Sequence, residues 1–214
     1  MHSISFNQVT PRVFAEVTDL HSEVWKSQVT FERGKKYLVA ADSGCGKSTF
    51  CSYLQGYRND YTGQILFDKT DIKSYAIRQW VEVRQRHIAM LFQEMRLFAE
   101  LTAYENVMIK NRLTSSASAV EVKDWFSRLG LSDKLDVKAG QFSQGQQQRV
   151  ALLRSLVQPF DFLVADEPIS HLDDTNSYEM AHIIREIIDK NGAGLIVTSI
   201  GRDLPFDYDK TLKL

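Results

Sequence analysis

Apolar positions in this chain follow two periods. In the first third, residues 4–9, 12–17, 23–31 and 36–40 carry the pattern of β-strands. Residues 63–67 and 88–92 read the same way, and 209–214 reads as a last strand. Residues 162–165 and 195–198 are short unbroken apolar runs, as expected of parallel strands covered on both faces. Between them Met180, Ile183, Ile184, Ile187 and Ile188 recur at i, i+3, i+4, i+7 and i+8, one stripe of an amphipathic helix. Strand, helix, strand at this spacing predicts a right-handed crossover. Helices are predicted over 47–54 and 74–86, a mostly helical stretch over 103–157, and a loop at 114–119. No internal repeat or long linker interrupts the pattern, and the class is α/β.

Composition excludes more than it selects. The chain has 214 residues, 43% hydrophobic and 25% charged, an ordinary globular balance. A formal net charge of −1 gives no global field for nucleic acid or anionic lipid. No apolar run approaches the ~20 residues that span a bilayer. The first residues, MHSISFNQVTP, lack the blocks of a secretory signal. The expectation is therefore a cytoplasmic protein that inserts nothing into a membrane and binds no nucleic acid. Cys45 and Cys51 are expected to be reduced thiols. The five histidines show no metal-ligand spacing.

Candidate chemistry sits at the ends of the apolar runs. ADSGCGKST (41–49) nearly satisfies G-x-x-x-x-G-K-[ST], a loop whose backbone N–H groups cradle phosphate at the start of a helix. Its residues Ala41, Asp42, Ser43, Gly44, Cys45, Gly46, Lys47, Ser48 and Thr49 are candidate nucleotide-phosphate contacts. Lys47 would pair with the β- and γ-phosphates, and the Ser48 hydroxyl would ligate Mg²⁺. Ala41 stands where the pattern has glycine. Its methyl group is tolerated at negative φ and costs roughly 1–2 kcal/mol at positive φ. FLVADE (162–167) sets Asp166 at the C-terminal end of a buried strand, the ligand-binding edge of an α/β sheet. Asp166 would hold Mg²⁺, and Glu167 would orient or deprotonate an attacking water.

FSQGQ (142–146) opens a helix, with Ser143 as a possible N-cap. Phosphate loop, FSQGQ, FLVADE and SHLD (170–173), in this order, resemble the ATP-binding cassette (ABC) ATPase family over nearly the whole chain. The resemblance implies a P-loop NTPase (RecA-like) core with an N-terminal antiparallel β subdomain and an inserted α-helical subdomain, about 95–158, within one domain, 1–214. It implies that Ser143, Gly145 and Gln146 cap the ATP of a second ABC ATPase subunit, a homodimer in the simplest case. Asp173 would couple the two sites. Gln93 would reach Mg²⁺ and the attacking water. Phe98, Leu101 and Tyr104 would meet integral membrane subunits, or else pack in the core. The protein would then lie on the inner face of the cell membrane through that partner.

Three positions depart from the family pattern: Ala41, Gln144 and Ser199. Ser199 replaces the usual histidine, and losing one preorganised donor typically costs ~10²–10³ in rate. Slow turnover is expected. Phe14 is the candidate adenine-stacking residue, with a strand-core role as its alternative. Two functions stay open: an energy-coupling ATPase similar to the compact lipoprotein-release, macrolide-export and cell-division ATPases, or an ATP-gated switch or degenerate heterodimer partner that hydrolyses little. The chain has no guanine-selecting N-K-x-D string.

Overall fold

Strands rich in Val, Ile, Leu and Phe must be covered on both faces. The computed structural model, which describes residues 1–42 and 44–214, shows how. In chain order the elements are β1 (Ser3–Pro11), β2 (Gln28–Glu32), β3 (Lys36–Ala40), α1 (Lys47–Leu54), β4 (Tyr61–Phe67), β5 (Thr70–Asp71), α2 (Ile77–Glu82) and β6 (Ile88–Leu91). They continue with α3 (Ala103–Asn111), α4 (Ala119–Arg128), α5 (Gln144–Leu156), β7 (Phe162–Asp166), α6 (Asp174–Asn191), β8 (Gly194–Ser199) and β9 (Lys210–Lys213). Strands β6-β7-β8-β3-β9 form a parallel sheet, and β2-β1-β4-β5 an antiparallel one.

The side-chain period of two sorts the parallel sheet into two cores. Leu38, Ala89, Leu91, Leu163, Ala165, Leu195 and Val197 join the core made with α3, α4, α5 and α6. Tyr37, Val39, Ile88, Met90, Phe162, Val164 and Ile196 join the other, made with α1 and the antiparallel sheet. Aromatic rings dominate that second core. Phe6 stacks on Phe50 at 5.2 Å between centroids, and Trp25 meets both edge-on. Such pairs add about 0.5–1.5 kcal/mol beyond burial, so Phe6→Ala would cost about 3–5 kcal/mol. The helices of 103–156 all pack on one side of the parallel sheet, and the antiparallel sheet lies on the other. This matches the expected α/β P-loop core with its β and α-helical subdomains.

Three local expectations are corrected. Residues 12–17 are not a strand. Pro11 fixes φ and has no N–H, the Arg12 N–H turns to the Asp60 carbonyl at 2.9 Å, and a 3-10 turn follows (Arg12–Phe14). Within 23–31 only the end is extended, because the Ser22 hydroxyl accepts from the N–H groups of Val24 and Trp25 and holds a turn. Residues 74–86 divide into a 3-10 turn, α2 and a π-turn (Val83–His87). Gly63, opposite the β1 bulge, has φ +80°, and a Cβ there would lie 2.3 Å from the Gln8 carbonyl oxygen.

Candidate functional site

The carboxyl ends of β3, β7 and β8 meet at one edge, and the phosphate loop leaves β3 there. Ser43 lies outside the described residues. Ala41 is not among the positive-φ residues, so its methyl group carries no backbone strain. Its N–H donates to the Ser199 carbonyl at 3.1 Å. Gly44 and Gly46 do adopt positive φ, +84° and +98°. A Cβ on Gly46 would meet Phe14 at 2.9 Å and the Trp25 indole nitrogen at 3.3 Å, so this glycine is required twice over. The indole N–H donates to the Cys45 carbonyl at 3.2 Å and pins the loop from below. Asp42 and Ser48 are exposed, while Thr49 is buried and accepts from Arg58 at 3.2 Å. Thr49 thus ties α1 to the Arg58–Asp60 pair.

Lys47, Asp166 and Glu167 converge at this edge. Lys47 is buried, with Nζ 3.4 Å from the Asp42 carbonyl and 3.7 Å from Glu167 Oε1. The Thr198 hydroxyl donates to Asp166 Oδ1. Burial pushes the Asp166 carboxyl above the ordinary carboxylate range, against that hydrogen bond, and the charge on Glu167 adds to the push. Glu167 sits at φ +47°, a left-handed conformation costing a non-glycine residue roughly 1–2 kcal/mol. Its backbone is held on both sides: the N–H donates to the Thr198 carbonyl at 3.0 Å, and the carbonyl accepts from Gln148 Nε2 at 3.0 Å. Ser199 closes β8. It is buried, and its hydroxyl donates to the Arg202 carbonyl at 2.8 Å.

The FSQGQ turn is the N-terminus of α5. Ser143 Oγ accepts from the Gln146 N–H at 3.3 Å, and Gln146 Oε1 accepts from the Ser143 N–H at 3.0 Å, a capping box. The N-cap reading of Ser143 therefore holds. Ser143 and Gln144 are exposed, leaving the positive end of the helix open to an anion. Gly145 abuts the SHLD turn, where a Cβ would lie 2.8 Å from the His171 carbonyl oxygen. Asp173 caps α6, accepting from the Asn176 N–H at 2.8 Å. That hydrogen bond holds its carboxyl below the usual range.

Gln93 lies two residues past the end of β6 and is half-buried. Behind it Met95 and Arg96 both adopt positive φ, 58° and 52°. The Arg154 guanidinium donates to both carbonyls, to Arg96 at 2.6 Å. Phe14 lies in the 3-10 turn, half-buried, with its ring against Gly46 beside the phosphate loop, not in a strand. Phe98 is 54% exposed, whereas Leu101 and Tyr104 are half-buried. A groove of ≈ 350 Å³ beside Phe98 is lined by Phe92, Ile109, Lys110, Leu113 and Arg154. Burial pushes the Lys110 ammonium down to about 8, with Arg154 adding to the effect and no carboxylate opposing it. Gln148, Arg154 and Thr198 were missed by sequence reasoning, because their partners lie far along the chain.

No cluster of three His, Cys, Asp or Glu suited to a metal occurs among the described residues. The donor set at the edge nevertheless fits Mg²⁺. The ion takes oxygen ligands and commonly uses one or two carboxylates with water and substrate phosphates. Asp166 offers a buried carboxylate whose Oδ2 makes no hydrogen bond to the described residues, and Ser48 an exposed hydroxyl.

A glycine-bearing loop between a parallel strand and a helix, facing a strand-end carboxylate pair, defines a P-loop nucleoside-triphosphatase. The chain belongs to the ABC transporter family, whose profile matches residues 25–170. An uncharacterized ABC transporter ATP-binding protein of Mycobacterium tuberculosis is 33% identical over 184 residues, 85% of this chain and 56% of that protein. The chain thus spans about half the length of this relative. The ABC transporter ATP-binding protein YtrE of Bacillus subtilis is 30% identical, covering 77% of this chain and 73% of its own length. The lipoprotein-releasing system ATP-binding protein LolD of Colwellia psychrerythraea is 28% identical, over 87% and 74% respectively. The dimeric ABC transporter cassette MJ0796 superposes with a TM-score of 0.77 over 92% of this chain, at 22% identity. That likeness concerns the fold. No helix among the described residues is long and apolar enough to cross a membrane.

Proposed function

We propose that residues 1–214 act as one ABC ATPase domain, with about 95–158 as its helical signature subdomain, coupling ATP-driven dimerisation to membrane subunits. The observation that carries this is the convergence of Lys47, Asp166 and Glu167 at one sheet edge, with Lys47 Nζ 3.7 Å from Glu167 Oε1. A γ-phosphate entering the loop takes Lys47 away from Glu167 and leaves that carboxylate free. Glu167 then polarises the water that attacks in line, breaking the bond between the γ-phosphorus and the ADP oxygen. Phosphate oxygens would lie against the N–H groups of Asp42, Gly44, Cys45, Gly46, Lys47 and Ser48. Phe14 stacks on adenine, and Gln93 orients the water. Ser48, Gln93 and Asp166 would hold Mg²⁺, which neutralises charge on the phosphates when bound.

The open N-terminus of α5 serves the second copy. Ser143, Gly145 and Gln146 cap the partner's ATP, and Asp173 links the two sites. The exposed Phe98 and the apolar groove beside it receive the membrane subunits, which keep the protein on the cytoplasmic face of the cell membrane. An ATP-gated switch with little hydrolysis is the second reading. One observation favours it: the Ser199 hydroxyl is committed to the Arg202 carbonyl at 2.8 Å. Steady-state ATP hydrolysis, with and without membrane subunits, separates the two readings. Turnover abolished by Glu167→Gln supports the enzyme, while ATP-dependent dimerisation without turnover supports the switch. A Glu167→Gln protein that stays monomeric with ATP refutes both for a homodimer.

A further inference from the structure

We propose that Gln148 is a positioning residue for ATP hydrolysis. It would tie the helix that caps the partner's nucleotide to the carboxylate that acts on this chain's own. The inference rests on the reading of Glu167 given above.

Gln148 lies one turn into α5 and is buried, at 2% exposure. A buried amide has to place both a donor and an acceptor. Its Nε2–H donates to the Glu167 carbonyl at 3.0 Å and approaches Ser170 Oγ at 3.3 Å. Its Oε1 accepts from the His171 N–H at 3.2 Å. One side chain therefore spans the turn from the strand-end carboxylates to the SHLD segment. The bond to Glu167 falls on a residue at φ +47°, a conformation that persists only where its surroundings hold it. Its other anchor, the Thr198 carbonyl, belongs to β8, in the rigid sheet. Gln148 is thus the contact through which α5 reaches Glu167. Gly145, two residues after the Ser143 cap, lies so close to the SHLD turn that a Cβ there would stand 2.8 Å from the His171 carbonyl oxygen. A shift of the α5 N-terminus as it closes on the partner's phosphate would move Gln148, and with it the backbone that aims the Glu167 carboxylate. Gln148 touches no substrate in this arrangement and acts only through Glu167 and the SHLD turn.

Gln148→Met keeps the volume and removes the hydrogen bonds to Glu167, Ser170 and His171. A small misplacement of a reacting group costs about 10²-fold, so turnover should fall about 10- to 100-fold. ATP affinity, measured by equilibrium binding, should stay within about twofold, since the phosphate loop is untouched. Gln148→Glu is the second variant and covers poor folding of the first. Its carboxylate still accepts from His171 but cannot donate to Glu167 until protonated. Its turnover relative to wild type should therefore recover as the medium is acidified. Glu167→Gln, run in parallel, separates the two readings. If that variant hydrolyses ATP normally, the role of Glu167 fails. If it is inactive while Gln148→Met turns over like wild type, the positioning role fails alone. Equal losses of affinity and turnover in Gln148→Met, or a ratio for Gln148→Glu that does not change with pH, also overturn the proposal.

Discussion

Replacing Lys110 should stabilise the fold. The residue sits in the last turn of α3, in a groove of Met90, Phe92, Ile109 and Leu113, with Arg154 as its charged neighbour. Burial, reinforced by Arg154, moves its ammonium from 10.5 to about 8. At 1.36 kcal/mol per unit this corresponds to about 3 kcal/mol against the charged form. Lys110 is only half-buried, and solvent screening reduces the figure to about 2 kcal/mol. A cation near a helix C-terminus returns about 0.5 kcal/mol. Lys110→Met should then stabilise the protein by about 1–2 kcal/mol at neutral pH, or about 2–8 °C in Tm for a chain of this size.

The sign with pH follows from linkage. The folded value is depressed below the unfolded one, so the penalty is fully present below about 8. It is relieved as pH rises from there toward the unfolded value, where the unfolded chain binds the extra proton. The gain from Lys110→Met should be largest at neutral pH and shrink in alkali. Urea denaturation at neutral and alkaline pH measures it. A variant less stable than wild type at neutral pH, or a gain that ignores pH, would refute the desolvation argument. If the groove receives an acidic partner, the same variant should bind that partner less well.

Three further outcomes are expected. Gly145→Ala places a methyl group 2.8 Å from the His171 carbonyl oxygen. Overpacking of that kind costs about 1–3 kcal/mol, and turnover should drop with it; unchanged Tm and turnover would contradict the close approach. Ser199→Ala should leave ATP turnover unchanged and lower stability by about 1 kcal/mol, because the hydroxyl serves the Arg202 carbonyl. A large fall in kcat would instead restore Ser199 to the reaction. Asp161→Asn removes the carboxylate shared by Arg33 at 2.9 Å, His87 at 2.6 Å and the terminal amino group at 2.7 Å. A loss of about 3 kcal/mol is expected in chemical denaturation, the lower end for breaking a buried pair. A neutral result would mean that solvent already screens the cluster.

What the sequence disclosed was chemistry with fixed local spacing. Lys47 after two glycines, and Asp166 with Glu167 at the end of an apolar run, need only neighbours in sequence to be recognised. The paired cores were legible for the same reason, since β7 and β8 are continuous apolar runs. What stayed hidden depends on distant partners. Gln148 meets a carbonyl 19 residues away, Arg154 one 58 residues away, and neither spacing leaves a periodic trace. Short-range competition misled as well. The Ser22 hydroxyl captures the N–H groups of Val24 and Trp25, so an apolar pair that reads as strand is buried by a turn. Phe14 left the strand pattern because Pro11 ended it, and its ring came to rest against Gly46.

Trp25 has one consequence of its own. Its indole is fully enclosed, bonded to the Cys45 carbonyl and edge-on to Phe50 and Tyr53 of α1. A fluorophore is therefore wired to the floor of the phosphate loop. In a chain whose Trp80 and Trp125 are replaced by phenylalanine, emission from this one ring should register each arrival and departure of nucleotide, an optical gauge of occupancy with no label attached.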